Sequence, residues 1–369
     1  MRRWENWMLS CMTFAVLLCP TASEAQQQKA YAQWCRFVGN GSYQSLYCSQ
    51  VLKTEQPPPL PPSWFWTDRA GLYAGVAPGD DNFLVDVVGT GRPAFCRTSR
   101  AQGTLHCATR EEFGFYDGAF TAKVDIGHGE FPRFMVDVNG DGKADFCRLV
   151  GGEGQEFLSC AFSDGKTFGQ YDFNSAKLDL GHAEFPRFMA DVNGDGKADF
   201  CRLVGGEGQE FLSCALSDGK TLGPQYQFKS AVNMDLGHAE FPRFMADVNG
   251  DKKADFCRLV GDQGQEFLSC TLSDGTTFGA PYGFNAPKSL DLGNGKYPRY
   301  LVDVNGDGKA DFCGFVQDQR NGADHSKFLL ECRLSDGQTF NMNQPVSSPI
   351  GQLNAVETPQ FIAPIIPPQ

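Results

Sequence analysis

One segment of this chain returns again and again. Phe131-Pro-Arg-Phe-Met-Val-Asp-Val-Asn-Gly-Asp-Gly-Lys-Ala-Asp-Phe-Cys147 recurs almost letter for letter, ending at Cys201, Cys257 and Cys313. Asp137, Asp191, Asp247 and Asp303 hold equivalent places, so the repeat runs 54 to 56 residues. Each first cysteine is followed by an apolar stretch, Arg202-Leu-Val-Gly in one copy, and a Gly-rich turn. Then come Gln209-Glu-Phe-Leu-Ser-Cys214, a Ser-Asp-Gly and a Phe-Gly or Leu-Gly pair. Two degenerate copies lie upstream, one containing Asp86 to Cys107 and one starting only at Trp34-Cys35. A period of this length points to stacked supersecondary units that bury their faces against one another.

Each copy reads as four short strands. Phe185 to Val192 is the first, Ala198 to Val204 the second, Glu210 to Leu216 the third, and the fourth follows Thr221, with Asn-Gly, Gly-Gly or Asp-Gly turns between. Folding the middle pair as a hairpin about Glu207 sets Cys201 opposite Cys214. One face then holds Cys201, Leu203, Leu212 and Cys214; the other holds Val204 and Phe211 with Arg202 and Ser213. Both faces are substantially apolar, so a sheet needs a neighbour on each side. Four-stranded sheets stacked radially meet that need, giving an all-β propeller. An open β-solenoid competes, but its rungs are usually shorter.

The ends support closure. The first copy begins at its second strand, and the missing first strand reappears as Glu357-Thr-Pro-Gln-Phe-Ile-Ala363, which matches Glu240-Phe-Pro-Arg-Phe-Met-Ala246. A C-terminal strand there would remove the open sheet edges. The expectation is six four-stranded blades, or seven if Val51 to Gly79 holds a further degenerate one. Pro57 to Pro62 within that stretch reads as a stiff extended connector.

Residues 1–25 read as a signal peptide: Arg2 and Arg3, an apolar run from Met8 to Cys19, and a cleavage site near Ala25. Leu18 before Cys19 argues against lipid attachment. No later stretch reaches the roughly 18 apolar residues that span a bilayer. Residues 26–369 are then expected as a single propeller domain, exported to an extracellular or periplasmic space without membrane insertion. Of fourteen cysteines, Cys11 and Cys19 leave with the signal. The rest form six local pairs, Cys35/Cys48, Cys96/Cys107, Cys147/Cys160, Cys201/Cys214, Cys257/Cys270 and Cys313/Cys332, one disulfide per blade. Zinc would want two-residue spacings and His partners, and neither appears. A net charge of −12 argues against nucleic acid as a partner.

Asp137-Val-Asn-Gly-Asp-Gly-Lys-Ala-Asp145 puts oxygen side chains at positions 1, 3, 5 and 9 of a turn. Calcium takes six to eight oxygens from such a loop, and position 7 can add a backbone carbonyl. The expected ligand sets are Asp137, Asn139, Asp141, Lys143 and Asp145; Asp191, Asn193, Asp195, Lys197 and Asp199; Asp247, Asn249, Asp251, Lys253 and Asp255; and Asp303, Asn305, Asp307, Lys309 and Asp311. The competing reading is an Asx-rich turn without metal, but three carboxylates per loop repel one another unless a cation intervenes. Four ions are expected, the third site weakened by Lys252, which stands where its siblings have Gly. The degenerate loop, Asp86 to Ala94, has lost positions 3 and 9, and Pro364 replaces the first Asp of the closing strand, so neither is expected to hold an ion.

The loop, the period and the trailing Phe-Gly, with Ala-Pro in Phe278-Gly-Ala-Pro281, resemble the FG-GAP and VCBS repeats of integrin α-subunit heads and secreted microbial proteins. The resemblance covers roughly Leu84 to Phe340. It implies a calcium-bound propeller. It leaves function open among adhesion heads, lectins and accessory domains of enzymes or toxins.

Other residues invite chemistry. His128, His182 and His238 each stand two residues before Glu130, Glu184 and Glu240, as a ligand pair or as a turn; Asn294 replaces His in the fourth copy, which favours the turn. Arg133, Arg187, Arg243 and Arg299 read as staples between blades. Trp64-Phe65-Trp66 fits sugar stacking or a core anchor. The insertion from Gln317 to Lys327, with Arg320, Asp324 and His325, fits a recognition loop better than a catalytic site. No nucleophile elbow or phosphate loop is present. The reading is a recognition or adhesion module, lectin-like, for an extracellular glycan or a cell-surface protein, rather than an enzyme. An enzyme, or the accessory domain of a polysaccharide-acting one, is the second class. A structural envelope or extracellular component is the third.

Overall fold

A computed structural model describes the backbone of residues 31–40, 43–50, 65–67, 81–352 and 360–365, apart from 92, 112–113, 207, 263, 294–297, 318–326 and 344–345. The expected signal peptide, the Pro57–Pro62 connector, Trp64 and the interior of the Gln317–Lys327 insertion lie outside the described residues.

The described chain is all strand and turn. β1 (Tyr31–Asn40), β2 (Tyr43–Gln50) and β3 (Phe65–Thr67) come first. Then follow β4 (Asn82–Val85), β5 (Ala94–Ser99), β6 (Thr104–Glu111) and β7 (Gly114–Lys123). The best-matched copies give β8 (Arg133–Val136), β9 (Asp145–Val150), β10 (Phe157–Ala161) and β11 (Phe173–Asn174); β12 (Phe188–Ala190), β13 (Asp199–Val204), β14 (Phe211–Ala215) and β15 (Phe228–Lys229); and β16 (Phe244–Ala246), β17 (Asp255–Val260), β18 (Phe267–Thr271) and β19 (Phe284–Asn285). β20 (Tyr300–Val302), β21 (Asp311–Gln317), β22 (Lys327–Arg333), β23 (Val346–Gln352) and β24 (Gln360–Ile365) complete the order.

Within each copy the four strands pair antiparallel in chain order. The first strands touch one another in cyclic order, β4, β8, β12, β16, β20, β24 and back to β4, so the sheets stand radially about a closed centre. That excludes the open solenoid. Five blades are described with a disulfide each: Cys96–Cys107, Cys147–Cys160, Cys201–Cys214, Cys257–Cys270 and Cys313–Cys332, at Cα separations of 4.0–4.1 Å. The expected sixth blade is described in backbone alone, as the sheet β24-β1-β2-β3. Its register is that of the others. Cys35 faces Cys48, and Phe361 faces Cys35 as Phe244 faces Cys257. β3, which follows the Pro57–Pro62 segment, is the outermost strand of this sheet and takes up Phe65 and Trp66. No helix among the described residues is long and apolar enough to cross a membrane.

The first strands are shorter than the sequence reading. Phe185 to Val192 contracts to β12 because Pro186 has no N–H for the ladder and Asp191 already belongs to the turn. The core lies between blades, as two apolar faces require. Cys201, Leu203, Leu212, Cys214 and Phe228 of one blade pack against Phe256 and Phe278 of the next. The Phe-Gly signature thereby acquires a purpose: Phe278 meets Phe228 edge-on at 5.0 Å, and Phe340 meets Phe284 likewise at 5.0 Å.

Deleting residues 358–369 removes β24 and leaves β1 as an open edge. The truncated protein is expected to melt lower and to aggregate, read by calorimetry and light scattering. An unchanged melting temperature would mean that the ring closes by other means.

Candidate functional site

The antiparallel order puts two connections of every blade on one face of the ring and two on the other. The first face carries the Asp loops and the Ser-Asp-Gly turns. The second carries the Gly-rich turns and the links to the next blade.

On the first face the Asp loops form as expected, and their hydrogen bonds are explicit. Asp191 Oδ1 accepts from Gly194 N at 2.7 Å and Asp195 N at 3.2 Å, while its Oδ2 accepts from Gly196 N at 2.8 Å. Asn193 Oδ1 accepts from Asp195 N, and Asp195 Oδ1 from Lys197 N. Asp199 is fully buried. Its Oδ2 accepts from Val192 N at 3.0 Å and its Oδ1 from Ser217 N at 2.7 Å. Asp145, Asp255 and Asp311 repeat this pattern. Burial pushes the pKa of all four up to about 7, against the pull of those N–H donors.

The loops also join the blades. Ala198 N donates to Asp137 O of the preceding loop at 2.8 Å, Ser217 Oγ to Val138 O at 2.7 Å, and Thr221 Oγ1 to Asn174 O at 2.8 Å. Sequence reading passed over this serine, although its recurrence in every Ser-Asp-Gly was a usable signal.

Against calcium the fit is divided. The donors are hard oxygens at the expected spacing. Yet among the described residues no three acidic, His or Cys side chains gather as a metal-holding group. A cation is already supplied from within the loop. The Nζ atoms of Lys143, Lys197, Lys253 and Lys309 lie 2.7, 3.1, 3.0 and 3.0 Å from Oδ2 of Asp141, Asp195, Asp251 and Asp307. The side chain expected only to present its carbonyl at position 7 thus partners position 5. Asp86, in the loop without positions 3 and 9, still accepts from Val88 N, Gly89 N and Gly91 N, so this turn forms on its first residue alone.

On the second face the histidines are structural. Nε2 of His128, His182 and His238 lies 2.5, 2.7 and 2.7 Å from the carbonyl oxygens of Gly151, Gly205 and Gly261, tying link to turn. Each ring also meets the Phe three residues on, edge to face. Beside them stands a cluster that sequence reading missed. Arg202, fully buried, donates from Nε to Asp179 O and from Nη1 to Ser213 O, and its guanidinium lies 4.8 Å from the Tyr226 ring centroid. Tyr226 hydroxyl donates to Asp179 Oδ2. Arg258, Tyr282 and Asp235 repeat the arrangement, and Arg148 with Tyr171 and Asp125 approximates it, the tyrosine reaching Asp125 O instead. Tyr226 and Tyr282 are 40% and 43% exposed, and both sit at positive φ, +70° and +63°. A bulky side chain held there is costly, and such positions gather at ligand-facing sites. The signal available in the sequence was the Arg after the first cysteine recurring with a Tyr before the fourth strand in three copies, Arg148 with Tyr171, Arg202 with Tyr226 and Arg258 with Tyr282.

No protein-family model matches the chain. A stretch of 137 residues, 36% of the chain, is 34% identical to part of the NAD(+)–arginine ADP-ribosyltransferase Chelt of Vibrio cholerae. The chain covers about a fifth of that protein, 21% of its length. Among solved structures, TolB from Acinetobacter baumannii is similar at a TM-score of 0.45 and 11% identity, over 97% of this chain and 71% of that one. AofleA from Arthrobotrys oligospora is similar at 0.41 and 12%, over 91% and 90%. Likenesses at this level assign neither family nor activity. The expected resemblance to FG-GAP and VCBS repeats therefore rests on the sequence motif and period alone.

Two substitutions test the loop face. Asp199→Asn keeps the shape but turns an amide N–H₂ toward a backbone donor. It should cost roughly 1–3 kcal/mol, with or without chelator, in denaturant unfolding. An effect seen only with calcium present would make Asp199 a ligand first. Lys252 sits at φ +68°, where Gly196 and Gly308 sit at +83° and +84° with open space around an added Cβ. Lys252→Gly should stabilise by about 1 kcal/mol, less the added freedom of the unfolded chain; a loss of stability would show that the lysine makes a compensating contact.

Proposed function

We propose that the protein is a secreted recognition module that binds an extracellular glycan through its repeated tyrosine clusters. The five described disulfides belong to an oxidising compartment. The observation that carries the reading is the recurrence of one exposed aromatic site, Tyr226 over Arg202 and Tyr282 over Arg258, at the same place on neighbouring blades. A sugar ring stacks its C–H face on an aromatic and offers hydroxyls to nearby acids, here Asp179 and Asp235. Rigidly spaced weak sites gain avidity together without any new contact. The clusters are built of buried arginine and strained backbone, which suits a fixed binding surface better than a reacting one.

Calcium remains part of this proposal in an indirect role. The oxygens of Asp137, Asn139, Asp141 and their three sibling sets are the proposed ligands, and the ion would displace the lysine from position 5. Native mass spectrometry is expected to count four ions, the Asp247 set filling last; none at millimolar calcium would leave the lysines as the only counter-charge.

The likeness to part of an ADP-ribosyltransferase supports a second reading, in which the ring accompanies or carries that activity. A glycan array, followed by titration of the hits, separates the two. Saturable binding is expected, weakened about tenfold or more by Tyr226→Asn with Tyr282→Asn. Asn tolerates the left-handed backbone, so the fold should persist, with a melting temperature lowered by the lost contacts to Arg202, Arg258, Asp179 and Asp235, and binding is compared well below it. NAD⁺ consumption with an arginine acceptor, and no glycan bound, would overturn the proposal.

A further inference from the structure

The arginines expected to staple the blades by ion pairs or hydrogen bonds form an ion pair only once. Arg133 pairs with Asp81 at 3.1 Å and also donates to Ile126 O and His128 O. Arg187, Arg243 and Arg299 have no acid within ion-pairing distance among the described residues. Each donates through Nε alone, to Leu180 O at 2.9 Å, Leu236 O at 2.8 Å and Leu292 O at 2.7 Å. Each guanidinium is laid over the Phe of the blade before it: Arg187 at 5.6 Å from Phe131, Arg243 at 5.1 Å from Phe185, Arg299 at 5.4 Å from Phe241. Their Nη atoms have no protein partner among the described residues. They are also absent from the sealed orphan atoms, which are Asn82 Oδ1, Arg148 Nε, Arg258 Nη2, Tyr300 OH and Arg333 Nε. They therefore meet solvent. The three residues stand immediately before β12, β16 and β20, neighbours around the centre of the ring.

The nearby acids form no ion pair with them, although Glu266 lies close enough to Arg299 to act on it through space. Glu184 and Glu240 are exposed, three residues before Arg187 and Arg243, and Glu184 reaches toward His182 at 3.8 Å instead. Half-burial weakens the hydration of each guanidinium, which stays charged. Three such cations thus stand on consecutive blades, each with terminal nitrogens that face solvent and make no ion pair among the described residues.

We propose that Arg187, Arg243 and Arg299 form a binding site at the centre of the link face for the carboxylate or sulfate groups of an acidic glycan. The inference rests on glycan recognition as proposed above and adds the substrate class. A guanidinium whose Nε and one face are already held presents its two terminal nitrogens as a fixed fork, the geometry that carboxylate and sulfate match. Stacking on Phe fixes that fork and removes most of the entropy cost of binding.

The test compares three probes by calorimetry on the full chain: lactose, sialyllactose and sulfated lactose, at low and high salt. Both acidic probes should bind about tenfold more tightly than lactose at low salt, and the advantage should shrink as salt rises. A preference for one of them identifies carboxylate or sulfate as the recognised group. Arg243→Gln, the middle of the three, should remove the acidic advantage while leaving lactose binding and melting temperature in place. Arg243→Lys should restore it in part, since it keeps the charge but not the fork. If Arg243→Gln fails to fold, the salt dependence and probe preference of the unmodified protein decide. Equal affinity for the three probes overturns this inference and leaves the recognition of neutral glycan standing. Binding of none of them, with no hit on the array, overturns both.

Discussion

The ring depends on a carboxylate with nowhere to go. Asp199 is enclosed at the joint between blades, and each of its oxygens is committed to a backbone N–H, one from its own loop and one from the Ser-Asp-Gly turn. That turn's Ser217 in turn grips the carbonyl of Val138 in the loop before. A loop, a turn and the neighbouring loop are thus locked by two residues. The same lock recurs through Asp145 with Ser163, Asp255 with Ser273 and Asp311 with Ser335. Burying a carboxylate is expensive unless it is hydrogen-bonded throughout, so the joint tolerates no slippage. The apolar packing between blades, by contrast, would survive small sliding.

This bears on what the Asp loops are for. Their sequence advertises a cation site, and their first and last aspartates also have complete structural employment without one. Asp86 keeps the turn in a copy that has lost the other acids. The four full loops add Asn at position 3, a buried Asp at position 9 and, at position 5, a carboxylate that accepts from the backbone N–H of position 7 and also holds a lysine. The same lysine stems fill the space beside glycines of the preceding loop, as Lys197 does at Gly140. The lysine is therefore a packing element as well as a counter-charge, and any ion that displaced its ammonium would leave the stem in place.

The architecture was legible because the repeat makes every local inference four times over. Register could be read from Cys201 and Cys214 alone, and the closing strand from the match of Phe361 to Phe244. The proposed recognition surface was not legible, for two reasons. Its arginines, Arg202 and Arg258, read as one polar residue in an apolar strand, and only the fold shows Tyr226 and Tyr282 brought back over them from about 24 residues away. The staple arginines read from sequence as ion-pair or hydrogen-bond formers, and which of the two each makes depends on neighbours that one strand cannot reveal. The histidines succeeded for the opposite reason: Asn294 in the fourth copy showed that the position asks for turn geometry rather than imidazole.

The residues proposed to bind do not run right around the ring, and that asymmetry is itself informative. The buried arginine of each tyrosine cluster follows a first cysteine at Arg148, Arg202 and Arg258, but Gly314 stands there in the next copy, where an added Cβ would lie 3.3 Å from Leu292 O. The same copy has Asn341 and Met342 in the stretch where its siblings carry the tyrosine. The clusters therefore occupy three consecutive blades, and the unpaired arginines occupy the last two of these and the next. Each link ties the two sets together: Asp179 anchors Tyr226 at the outer end, Leu180 holds Arg187, and Phe185 lies under Arg243 at the inner end. His182 pins that link to the turn at Gly205. An elongated ligand lying along a link would meet aromatic surface first and guanidinium last. On the proposed reading one arc of the ring makes the contact, and the degenerate copies opposite complete the circle.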